Sequence, residues 1–123
     1  MSVLLISKDL FFAPIVRSAA EQFDATLVVG LNPDSQKVID LPADSIAVCI
    51  VDLSGIGSSD VAQTAQDLSG RFPAARLVAF APHVHAAKLK AASESGFDPV
   101  LSRGQVSSVL PQLFGDWLGA TDT

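Results

Sequence analysis

A chain of 123 residues, 49% hydrophobic and 17% charged, is long enough for one domain with a substantial core and apolar enough for a sheet covered on both faces. Eight basic against thirteen acidic residues leave a formal net charge of −5 with no Lys/Arg cluster, which argues against nucleic acid as a partner. The longest apolar run, Ile46–Val51, is too short to span a bilayer, the N-terminus lacks a signal-peptide pattern, and the single cysteine, Cys49, fits a reducing compartment, so a cytoplasmic protein away from membranes is expected.

In chain order, "SVLLIS" reads as a short buried strand. Phe12, Ile15, Val16, Ala19, Ala20 and Phe23 then follow the spacing of one helix face, which puts Pro14 near that helix's start. "ATLVVG" is a second strand closed by Gly30, and the polar stretch "NPDSQKVIDLPAD", broken by Pro33 and Pro42, leaves room for a short helix at most. "SIAVCIVD" is the central strand, ending in Asp52. "GSSDVAQTAQDLSGRF" opens with capping residues and presents Val61, Ala62, Ala65 and Leu68 to one side.

"ARLVAFA" is a fourth strand, "HVHAAKLKAASESG" an Ala-rich helix stopped by Gly96, and "DPVLS" a short fifth strand. Val106, Val109, Leu110, Leu113, Phe114 and Trp117 make a last amphipathic helix, with Pro111 expected in its first turn. The reading is a single domain over residues 1–119 and a short flexible tail at 120–123.

Strands alternating with helices argue for an α/β fold: a doubly wound, five-stranded parallel sheet with helices on both faces. In such sheets a site lies beyond the carboxyl ends of the strands. Those ends are Ser7–Lys8–Asp9, Asp52–Leu53–Ser54, Ala81–Pro82 and Ser102–Arg103–Gly104. With Asp52 closing the third strand, and with the intervals from Ala81 to Gly96 and on to Arg103 kept without a gap, the chain resembles the receiver domain of bacterial two-component response regulators. The resemblance covers nearly the whole chain and implies the flavodoxin-like strand order 2-1-3-4-5.

It also implies roles. Asp52 stands at the phospho-acceptor position. Ser7 and Lys8 stand where the family has the acidic pair that holds Mg²⁺, Ala81 where it has Ser or Thr, and Arg103 and Gly104 where it has Lys and a cis-Pro. Mg²⁺ takes hard oxygen ligands, usually with carboxylates, and phosphoryl transfer to an aspartate needs that metal. Ser7 is a poor ligand, Lys8 a competing cation, and Ala81 removes the hydroxyl that reads phosphate. Asp9 is the one spare acid nearby, either a metal ligand or, as preferred here, a helix N-cap. Asp52 is expected to pair with Lys8 or Arg103 or to cap the loop that follows it; if Lys8 reaches it, the lysine takes the metal's electrostatic place.

The expected function is therefore a stand-alone degenerate receiver, a pseudo-receiver: a non-enzymatic protein-interaction module without cofactor or metal. One alternative is a receiver still phosphorylated on Asp52; another is a small-molecule binder at the switch-point crevice. "SGIGSSD" reads as a tight loop feeding a capped helix, Cys49 as a buried structural thiol, and His83 and His85 as loop residues, since i, i+2 shares no helix face. Trp117 is either core or a docking anchor. Pro99 places the fifth strand at the sheet's edge. A weak homodimer or other protein contact is expected on the face of the fourth helix, fifth strand and fifth helix, where Lys88, Lys90, Pro99 and Trp117 lie.

Overall fold

Five parallel strands, β1 (Ser2–Ile6), β2 (Thr26–Gly30), β3 (Ile46–Asp52), β4 (Arg76–Ala81) and β5 (Val100–Ser102), form one sheet in the order β2-β1-β3-β4-β5. The computed structural model describes residues 1–119, so the tail expected at 120–123 lies outside the described residues. Helices α1 (Ala13–Glu21) and α5 (Val106–Leu118) cover one face of the sheet. α2 (Gln36–Ile39), α3 (Val61–Arg71) and α4 (Ala86–Glu94) cover the other.

The strands are apolar at nearly every position because each serves two cores. Val3 and Leu5 of β1 and Val78 and Phe80 of β4 face α1 and α5, while Leu4, Ile6, Leu77 and Ala79 face α3 and α4. Successive side chains leave a strand on opposite sides, so a buried parallel strand reads as a continuous hydrophobic run. Full burial of a Leu, Ile, Val or Phe contributes about 1.5–3 kcal/mol, and the two cores together hold the sheet against its ordering entropy. In β3 the alternation slips once: Ser2 pairs with Ile46 but Val3 pairs with Val48, leaving Ala47 as an extra residue.

The helix starts follow local chemistry. Pro14 sits in the first turn of α1, as expected. Gly30 is required where β2 meets α2, because a Cβ there would lie 2.4 Å from Cγ2 of the buried Val38. Gly96 ends α4 with φ +105°, a conformation that costs glycine little. β5 pairs with β4 alone, so it is an edge strand.

Three sequence expectations are corrected. Pro111 lies inside α5 rather than in its first turn, because the helix begins at Val106 after a 3-10 turn, Arg103–Gln105. The Gln105 side chain accepts the Ser102 N–H at 2.9 Å, a start signal upstream of the proline. On α3 it is Thr64, not Ala62, that turns inward. Ala62 is exposed, and the Thr64 hydroxyl donates to the carbonyl of Asp60 at 2.9 Å, which makes its burial tolerable. Pro99 precedes β5 instead of interrupting it, and its carbonyl accepts the Ala79 N–H at 3.3 Å.

Candidate functional site

Ser7 and Asp52 meet because β1 and β3 are neighbours in parallel register, Ile6 beside Val51, so the residues that follow emerge side by side at the carboxyl end of the sheet. Asp52 is only 5% exposed. Its Oδ1 accepts the backbone N–H of Ser54 at 3.0 Å, and its Oδ2 accepts the Ser7 hydroxyl at 2.8 Å. Ser7 is buried as well. Its Oγ receives the Asp9 N–H at 3.0 Å and lies 3.0 Å from the Asp9 carbonyl, and its own N–H reaches the carbonyl of Gly30 at 3.0 Å. Ala81, fully buried, closes β4 beside them.

The cations are not where the sequence placed them. Neither Lys8 nor Arg103 forms an ion pair with Asp52, and the one ion pair among the described residues joins Arg103 to Asp9. Lys8 is exposed, its stem running past Gly55. Bringing an ammonium down to a buried carboxylate costs its hydration, whereas a neutral hydroxyl next in chain order satisfies the same oxygen far more cheaply. Arg103 instead meets a carboxylate still in contact with water and lays its guanidinium over the Phe12 ring, 5.0 Å from the centroid. Phe12 in turn packs edge-on against Phe80 at 5.1 Å.

Asp9 is the N-cap expected of it, with Oδ1 accepting the Phe11 N–H at 2.9 Å. That hydrogen bond first, and the Arg103 guanidinium second, hold its carboxyl below the usual carboxylate range. Cys49 lies wholly inside β3. Burial pushes its thiol up to about 12 against a smaller opposing pull from Arg71, so it is an inert structural thiol at neutral pH.

A contact with the loop after Asp52 that the sequence does not announce comes from α4. Lys88, expected on a docking surface, is half-buried and donates from Nζ to the carbonyls of Leu53 at 3.2 Å and Ser54 at 3.4 Å, the loop directly after Asp52. A contact spanning 35 residues leaves no local signature. Lys90 is exposed, and Pro99 and Trp117 are half-buried. Trp117 lines a cavity with Met1 and Ile46 at the opposite, amino-terminal end of the sheet, so the four residues do not form one patch. His83 and His85 lie in the turn before α4, on no shared helix face.

The receiver site's Mg²⁺ does not fit this donor set. Asp52 meets a hydroxyl and an amide, and both oxygens of Asp9 are engaged, by Phe11 and Arg103. Among the described residues no three His, Cys, Asp or Glu side chains gather. The crevice beside Ser7, Lys8, Asn32 and Asp52 holds about 40 Å³, far below the ~300 Å³ of ordinary ligand pockets.

Two outcomes follow. Ser7→Ala leaves Oδ2 of Asp52 buried without its donor and should destabilise the fold by about 1–3 kcal/mol in urea unfolding; an unchanged midpoint would remove Ser7 as the group that satisfies Asp52. For Asp9, a folded pKa below the unfolded value means its contribution is complete above pH ~3.9 and disappears as pH falls through the lower folded value. A ¹³C NMR titration should therefore place its midpoint below ~3.9, and Arg103→Gln should raise it and flatten the acid limb of stability.

No protein-family model and no curated protein matches the chain. Solved structures do. A response regulator from Thermotoga maritima superposes with a TM-score of 0.76 at 13% identity, covering 96% of this chain and 97% of that one. An atypical orphan response regulator, described with a new phosphorylation-independent regulatory mechanism, gives 0.72 at 12%, covering 97% and 96%. The beryllofluoride-activated NtrC4 receiver domain dimer gives 0.72 at 12%, covering 97% of each chain. At such identities the likeness is one of fold, and with its five parallel strands in the order 2-1-3-4-5 the chain has the fold of response-regulator receiver domains.

Proposed function

We propose that this chain is a degenerate receiver, a non-enzymatic signalling module that acts by protein contact without Mg²⁺-dependent phosphorylation of Asp52. The observation that carries the reading is the Ser7 hydroxyl on Asp52 Oδ2 at 2.8 Å. It stands at the position of a metal carboxylate and occupies the oxygen that an incoming phosphoryl group would need free. With Lys8 beside it and Ala81 at the end of β4, no chelate gathers phosphate oxygens and no hydroxyl reads them. The orphan regulator of the same fold, described as phosphorylation-independent, is consistent with this assignment.

Incubation with acetyl phosphate and Mg²⁺ should leave the intact mass unchanged, while Ser7→Asp combined with Lys8→Asp should introduce Mg²⁺ binding. A stoichiometric adduct on Asp52 in the unaltered protein would overturn the proposal.

The partner surface we propose is the open side of β5 with the flanking α4 and α5, and its simplest occupant is a second copy. Among the described residues β5 has one free side, Lys90 on the flanking α4 is exposed, and a receiver of the same fold is known as a dimer. Because Lys88 is turned toward the loop after Asp52, Lys90 is the lysine whose charge this contact would sense. Sedimentation should show a mass that rises with concentration and falls in Lys90→Glu. A monomer throughout the micromolar to millimolar range would place the contact elsewhere.

A further inference from the structure

The amino-terminal end of the sheet, opposite Asp52, is built differently from a closed layer of strand ends. β4 begins at Arg76, which pairs with Val48, so Ile46 and Ala47 of β3 have no β4 partner. Ala47 is also the residue at which the register with β1 slips. Irregularities of this kind recur beside binding sites because they withdraw a strand from its neighbour. Here the space left is a cavity of about 350 Å³, within the range of about 300–1,000 Å³ for small-molecule sites and far larger than the 40 Å³ crevice beside Asp52.

Its lining is amphipathic. Ile46, Ala47, Trp117 and Leu118 provide apolar walls, and Arg76 and Asp44 provide the charges. The Arg76 guanidinium carbon lies 5.3 Å from the centre of the Trp117 ring, a cation–π contact at the cavity wall. Among the described residues it has no ion-pair partner. A guanidinium beside an indole at the wall of a cavity is suited to a planar carboxylate, which it can grip with two parallel hydrogen bonds.

We infer that this cavity binds a small amphipathic carboxylate, its chain or ring against Trp117, Ile46 and Leu118 and its carboxylate on Arg76. The inference is independent of the reading of Asp52. Asp44 makes an ammonium head group the competing chemistry, and the test separates the two.

Trp117 is the sole tryptophan of the chain, so its emission reports on the cavity directly. The intact protein would be titrated with octanoate, octanamide and octylammonium, with backbone amide NMR shifts followed in parallel. Octanoate should give a saturable emission change with shifts centred on residues 44–47, 74–76 and 117–118. The neutral amide should bind about tenfold more weakly, the loss expected when a charge-assisted pair becomes a neutral one. Arg76→Gln should show the same loss, and Arg76→Lys an intermediate one, because it keeps the charge without the fork. If Arg76→Gln does not fold, the octanoate–octanamide comparison in the unaltered protein still decides. No saturable change at millimolar octanoate, equal binding of the amide, undiminished binding by Arg76→Gln, or tighter binding of octylammonium would each overturn the assignment.

Discussion

A carboxylate held below the surface persists only where donors meet its oxygens, and the end of the sheet around Asp52 is arranged by that requirement. Ser7 and Ser54 supply the donors. Once Ser7 is committed to Asp52, the neighbouring residues follow. Lys8 is left in solvent, Asp9 turns to cap the short helix at Leu10–Phe12, and its remaining oxygen draws Arg103 across from the end of β5. Arg103 then covers Phe12, which packs on Phe80 of the core. A single neutral hydroxyl thus settles the positions of three charged side chains, one of them from a distant part of the chain.

The fold was legible because its signals are local and repeated. Apolar runs bounded by Gly, Pro and polar loops gave the five strands, and the strand–helix alternation gave the parallel sheet. The errors arose where two local signals competed. Pro111 suggested a helix start, but the Ser102–Gln105 pair opens the turn that leads into α5 at Val106, five residues before the proline, which is accommodated inside α5. Ala62 looked like the more apolar choice on α3, but Thr64 satisfies its hydroxyl within the helix and takes the inward place.

The site was legible as a set of positions and only in part as a set of partners: the caps made by Asp9 and Asp52 are readable from their places, the ion pair and the Ser7 bond are not. Strand ends placed Ser7, Asp52, Ala81 and Arg103 at one end of the sheet, as found. Opposite charges suggested that Lys8 or Arg103 would neutralise Asp52, since Coulomb attraction is easily read from a sequence. The cost of dehydrating a cation is not, and it reverses the choice. The Lys88 contact and the cavity under Trp117 depend on where α4 and β4 come to rest against β3, which only the assembled sheet determines.

The ammonium of Lys88 grips two successive carbonyls of the loop that follows Asp52. Both bonds reach the loop from a helix 34 and 35 residues further along the chain, so the position of the loop depends on where α4 packs. The stem of one side chain thus ties the outer helix to the strand ends, and the loop after Asp52 is held from outside the sheet as well as from within it.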